Sequence, residues 1–429
     1  MKHISVCTDT LSFLKLMKKL SDKELNTFLS KQSVDRLFQF YKVFLNTKKT
    51  NLEIKKTKIP KKQTTLLEDI KNNKKKLIEC DPKFKEIEDL NQKQLMDWII
   101  KNQTNINLFN CLKLDRGDKF LNRLLYDNPF IPINVLINLE KHNLVSRKVS
   151  HNNIDIHCFE KEESKEKLDL EEVYKVANIL RVLTGKVNKK LVLVFGMTDF
   201  KKKIYDYDNY KNFVDSEIVF KPIYVNSGSS YKGRYINMWR KEEFYKVLIH
   251  ELIHFLEIDI KFIQDSKKIE DYLRSKIQLT GYCNPSEIYT ESLAVLLHTI
   301  YVCSKLMYTN FNKMLNKEIK FSLIQVNKLL EITNSVPEKI KINQTTDVCS
   351  YFIFKTILML DLDKFIKFLR PNLDFGSRPE EFIKMLETNY SKFQELLIKT
   401  KSKIGDINEN KSLLISMRMT CLEIKLIND

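Results

Sequence analysis

The stretch Lys246-Val-Leu-Ile-His250-Glu251-Leu-Ile-His254 sets two imidazoles four residues apart, with a carboxylate beside the first. On an α-helix, positions i and i+4 lie on one face a turn apart, so both rings can turn a nitrogen toward one tetrahedral Zn²⁺. Glu251 is poorly placed to bind the same ion and well placed to take a proton from water as a general base. Val247, Leu248, Ile249, Leu252, Ile253, Phe255 and Leu256 make this helix apolar nearly all round. Two histidines and a glutamate buried there need partners, and a metal provides them.

A catalytic zinc takes a third protein ligand and leaves its fourth position to water. Candidates lie downstream in Asn284-Pro-Ser-Glu287-Ile-Tyr-Thr-Glu291-Ser-Leu-Ala-Val-Leu-Leu-His298. Glu287 and Glu291 are again i, i+4, so one can bind the ion while the other accepts a hydrogen bond from a ligating histidine. His298 stands about 16 Å further along the same helix at 1.5 Å per residue, too far to share the metal. His142, His151 and His157 have no ligand spacing and read as surface residues.

Together, HELIH and the later SEIYTESLAVLLH resemble the gluzincin class of zinc metallopeptidases. They are most like the anthrax-lethal-factor-like branch and similar proteins encoded by large DNA viruses. The resemblance implies one Zn²⁺ per chain held by His250, His254 and Glu287, with Glu291 bonded to a ligating imidazole. It also implies that Glu251 and Tyr282 are the catalytic pair, Tyr282 donating to the oxyanion. The substrate implied is a protein or peptide, cut by an endopeptidase using metal-activated water. Ser286 departs from the asparagine common before the glutamate in thermolysin-type relatives. The likeness covers roughly residues 165–305.

The elements that must hold these groups can be read from periodicity. With 429 residues and only 8 Gly and 9 Pro, the chain is unlike collagen, Gly/Pro-rich disordered or turn-dense all-β proteins. The expected class is α+β and mainly helical: a zincin-like catalytic core, with a small mixed sheet, an edge strand and the active-site helix, flanked by helical regions. The expected division is a helical region 1–150 with a Lys-rich linker around 46–76, a catalytic domain 151–310 and a helical region 311–429. Helical spacing marks 166–184, 241–257, 286–306, 321–333, 346–370 and 379–399, and a pattern from 82 to about 145 interrupted at Asn128-Pro129 and Ile131-Pro132. Leu191 to Phe195 reads as a buried strand and Glu217 to Val225 as a second, which Pro222 confines to an edge. Asn226 to Ser230 reads as a turn, and Arg234 to Met238 as a third strand. The edge suits pairing with an extended substrate, with Tyr224, Asn226, Ser227 and Gly228 as substrate contacts.

The formal charge is +18. Lys48 to Lys76 holds eleven lysines against Glu53, Glu68 and Asp69, a net +8 that would attract an anionic partner. A second expectation follows: a catalytically inactive zincin-fold structural or virion protein whose basic surface binds such a partner. The intact Glu251 speaks against it. A third is a zinc hydrolase acting on a bond other than a peptide. No stretch reaches the ~18 apolar residues of a membrane span. Eight scattered cysteines with no CxxC pair suit free thiols in a reducing, cytoplasmic setting, or in a virus factory or virion if the source is viral.

Overall fold

The computed structural model describes residues 8–59 save 26; 66–204 save 81, 92, 96, 97, 99–118, 121–130, 132 and 141; 218–259 save 232; 266–407 save 375, 377 and 406; and 411–423. The architecture is α+β with a mixed sheet. Among the described residues nine strands fall into two sheets: β1 (Lys55–Lys58), β2 (Leu144–His151), β3 (Ile154–Lys161), β4 (Leu191–Thr198), β5 (Val219–Phe220), β6 (Gly228–Tyr231), β7 (Tyr235–Arg240), β8 (Gln278–Gly281) and β9 (Lys341–Gln344). The larger sheet runs β1-β2-β3-β4-β7-β6, and the smaller β5-β9-β8. β3-β4 and β4-β7 are parallel; β1-β2, β2-β3 and β6-β7 are antiparallel.

Both faces of the larger sheet are covered at β4. Along β4, Leu191, Leu193, Phe195 and Met197 enter one apolar cluster, while Val192 and Val194 enter another. A strand buried on both faces reads as an apolar run without alternation, which is how Leu191 to Phe195 announces itself. The first cluster runs without a break from Phe13 to Leu422, across the boundaries expected near 150 and 310. Phe13 stacks edge-on to Phe321 at 4.7 Å between ring centres, and Tyr41 to Phe311 at 5.6 Å. The helices Thr8–Lys18 and Lys31–Asn46 thus pack into a core shared with the later helices.

Several expected elements are corrected. The Lys-rich stretch is not simply a linker: residues 55–58 form the exposed edge strand β1, with Lys58 opposite Val145, and 66–72 and 74–80 are helical. The apolar alternation that marks a strand is missing because neither face of β1 is covered, and lysines on an edge discourage further strands from adding. Residues 60–65, 99–118 and the Asn128-Pro129 break lie outside the described residues. The region 1–150 is not all helical, since β2 begins at Leu144 and pairs with β3 through a two-residue turn at Asn152 and Asn153, both left-handed with φ of 44° and 63°. That geometry suits a type I′ hairpin.

The strand expected over 217–225 shrinks to Val219 and Phe220, because Pro222 starts a single helical turn, Pro222–Val225, where its missing N–H costs nothing; Glu217 lies outside the described residues. The sheet's edge is instead β6, where a turn was expected. Further along, the expected helix 321–333 begins earlier, at Phe311, capped by Asn310 accepting from Lys313 N at 3.0 Å. The one expected over 346–370 is three pieces: a π-helical stretch Cys349–Phe354, then Lys355–Met359 and Leu362–Phe368. The helices over 166–184, 286–306 and 379–399 stand at Leu170–Leu183, Ser286–Leu306 and Pro379–Ile404. Among the described residues no helix is long and apolar enough to cross a membrane. Cys158, Cys283, Cys303, Cys349 and Cys421 are free thiols.

His298 is packed in the interior, 2% exposed, and burial lowers its imidazole to about 3. His157 is likewise buried, on β3, rather than at the surface. A histidine whose folded pKa lies below its unfolded value binds fewer protons folded than unfolded, so stability is lost as pH falls below about 6.5 toward 3. The expected slope is up to about 1.4 kcal/mol per pH unit from this one group. Urea melts of the native chain and His298→Leu between pH 7 and 4 should show the variant losing less stability; parallel curves would refute this.

Candidate metal centre

Two neighbouring helices build the site. The His helix, Phe244–Phe255, buries Leu248, Ile249, Leu252, Ile253 and Phe255 completely, which turns Lys246, His250, Glu251 and His254 toward a cavity. The Glu helix, Ser286–Leu306, is buried along nearly its whole length and lies against it. That position faces Glu287 and Glu291 onto the histidines.

His250 Nε2 stands 3.2 Å from Glu287 Oε2, His254 Nε2 3.3 Å from Glu287 Oε1, and the two Nε2 atoms are 3.2 Å apart. Ligand bonds of about 2.0–2.1 Å at tetrahedral angles would separate neighbouring ligand atoms by about 3.3 Å. The other ring nitrogens are occupied. His250 Nδ1 pairs with Glu291 Oε2 at 3.0 Å, and His254 Nδ1 with Asp259 Oδ2 at 2.8 Å. With each Nδ1–H donated to a buried carboxylate, a neutral ring would present an Nε2 lone pair. Two such lone pairs and a carboxylate oxygen then point at one spot, an arrangement that calls for a cation. The donor set of two nitrogens and one oxygen is that of a catalytic zinc site with an open position. No other His/Cys/Asp/Glu group of three or more among the described residues is so placed.

The electrostatics fit anionic ligands in a buried place. Burial opposes ionisation of Glu287, but His254 and the imidazole bonds outweigh it and hold the carboxyl well below its usual range. Glu291 is held low against burial by Lys246, which donates to its Oε2, and by His250. Burial would lower His250, yet its bonds to Glu287 and Glu291 raise it; for His254, Glu287 and Asp259 do the same. Burial also pushes the Glu251 carboxyl upward, against the pull of His250 and His254.

The cavity, about 450 Å³, brings together most of the residues named from sequence. His250, Glu251, His254, Glu287 and Glu291 line it, as do Tyr282 and, from the sheet side, Asn226, Ser227 and Gly228. Gly228 is there for space: a Cβ at this position would lie 2.9 Å from Glu251 Cγ and Oε1. Tyr282 stands at the rim, 55% exposed, its phenol pushed up to about 12 by burial, Asp347 and Glu287, so it keeps its proton. Tyr224 is corrected: it sits in the core on the turn Pro222–Val225 and does not line the cavity.

Four residues escaped the sequence reading. Lys246, one helical turn before His250, and Asp259, five residues after His254, were within reach of a spacing argument. Asp347 and Tyr351 were not. Asp347 Oδ1 accepts from Asn284 N at 2.6 Å, and the Tyr351 ring lies edge-on 6.1 Å from that of His250, carried by the π-helical stretch. Such turns recur at functional sites.

No family model matches the chain, and no solved structure matches it. Among curated proteins it is similar to an uncharacterized protein of Acanthamoeba polyphaga mimivirus, 25% identical over 230 residues, which are 48% of this chain and 58% of that protein. The chain thus spans somewhat more than half of that relative's length.

Proposed function

We propose that this chain is a zinc-dependent endopeptidase of gluzincin type, built on a zincin-like core. The observation that carries the reading is the meeting of two imidazole Nε2 atoms and a Glu287 oxygen at 3.2–3.3 Å, with Glu251 in the same cavity. Zinc held by His250, His254 and Glu287 would supply Lewis-acid polarisation of a carbonyl and acidify water. Glu251 takes the proton of the attacking water and returns it to the leaving amine. The Tyr282 phenol donates to the oxyanion. β6 ends the larger sheet beside the cavity, and an extended peptide added along it by main-chain bonds would lie over Glu251. The setting proposed for this activity is a reducing cytoplasm, or a virus factory or virion if the source is viral.

Metal analysis of the purified chain, joined to product analysis on a peptide library, tests the reading. One zinc per chain with amide-bond cleavage is the expected result, and a chain that takes up no zinc refutes it. Products from another bond class would favour a non-peptide hydrolase. Gly228→Val offers a sharper test of the edge. Its branched side chain displaces Glu251, so cleavage should slow about 10²-fold while zinc content stays at the native value. Unchanged turnover would show that Glu251 does not need this place.

A further inference from the structure

Behind the metal-ligand triad runs a buried length of chain that no motif announces. Residues 416–422 are all buried, yet apart from one bridge at Ser416 they belong to neither helix nor strand. Core groups from distant elements satisfy their backbone. Lys328 donates to Ser416 O, Gln325 to Arg418 O at 2.5 Å and Lys355 to Met419 O at 3.1 Å. Glu243 Oε1 accepts from Met419 N and Thr420 N, both at 2.8 Å, and Glu318 Oε1 from Leu422 N at 3.1 Å.

This web fixes the Met419 side chain at the cavity wall, with its Sδ 3.4 Å from Lys246 Nζ and 3.6 Å from Lys202 Nζ. Lys246, 1% exposed, is thereby set against Glu291 Oε2, the oxygen that also takes the His250 Nδ1 proton. Glu291 Oε1 has no hydrogen bond among the described residues, so these two bonds orient the carboxylate. Asp259, the corresponding acid on His254, accepts no hydrogen bond from a lysine among the described residues, and its Oδ1 is likewise unbonded there.

We propose that Lys246, braced by Met419, is a positioning residue of the metal centre: it locks Glu291 so that His250 keeps its proton on Nδ1 and offers Nε2 to the ion. The inference rests on the metal-site reading above and adds a residue to it. Groups that orient a ligating histidine contribute about 10- to 100-fold to metal affinity. A lysine that only filled space beside Met419 would leave that affinity unchanged.

Competition of the full-length chain with a chromophoric chelator for Zn²⁺ reads this directly. Lys246→Met and Glu291→Gln should each weaken zinc binding by about 10- to 100-fold, and the double variant should be no weaker than Glu291→Gln alone, since Lys246 acts through Glu291. Native-like affinity in a folded Lys246→Met, or a double variant showing the product of both losses, overturns the proposal. Should Lys246→Met not fold, Lys246→Leu, which likewise has no group to donate to Glu291, replaces it. A dissociation constant within about threefold of native then overturns the proposal, and a larger loss supports it. Failure of the native chain to bind zinc would instead sink the proposed function.

Discussion

Glu251→Gln is expected to hold zinc as tightly as the native chain and to cleave peptides about 10²- to 10⁴-fold more slowly. The amide keeps the size of the carboxylate, so the fit beneath Gly228 is preserved. None of the three ligand atoms belongs to residue 251, so the metal should stay. What is lost is the ability to accept a proton. Metal content and kcat measured on the same preparation check this. Equal turnover would end the general-base assignment, and retention of every cellular role by the variant would favour a structural protein.

The second large effect concerns the ligands. Replacing His254 by Ala, or Glu287 by Gln, removes one of the three converging acceptors, and zinc affinity should fall by more than about 100-fold, beyond what loss of an orienting group costs. Binding to the folded state alone stabilises it by about 2.7 kcal/mol when free metal exceeds Kd a hundredfold. Zinc should therefore raise the melting temperature of the native chain and leave that of His254→Ala unmoved. A chelator should reverse the first effect. Equal zinc-induced shifts in native and variant proteins would place the metal elsewhere.

How much of this was legible depended on distance along the chain. His250, Glu251 and His254 share one helix, whose 3.6-residue repeat fixes their relation before any tertiary contact forms. Glu287 and Glu291 were legible as a pair for the same reason, though their approach to the histidines rests on packing between two helices that 30 residues separate. Lys246 was visible at i−4, but spacing on one helix cannot show that a lysine meets Glu291 on another. Asp347, Tyr351 and Met419 reach the cavity from loops and an irregular turn nearly a hundred residues or more beyond the His helix, where no periodicity points.

Beyond β4 and β7, both expected, the sheet failed to show itself for other reasons. β1 has no buried face to produce alternation. β2 and β3 carry Arg147 and Glu160, whose side chains pair at 2.6 Å within the fold, so two charges that suggest water are in fact packed away. Proline misled in one place: Pro222 was taken as a mark of an edge strand and instead opens a helical turn. Ser-Gly-Ser-Ser, with the composition of a turn, became the edge because β7 supplies its ladder.

The run 416–422 also bears on when this centre comes into being. Synthesis passes His254 some 160 residues before it reaches Met419, a delay on the order of ten seconds or more at roughly 5–20 residues per second. Until then Glu243 and Lys246 have no backbone or thioether to settle against, and the nascent polypeptide carries the HExxH sequence without its finished surroundings. On the proposed function, the metal centre gains its full surroundings only after residues 416–422 are made, late in synthesis.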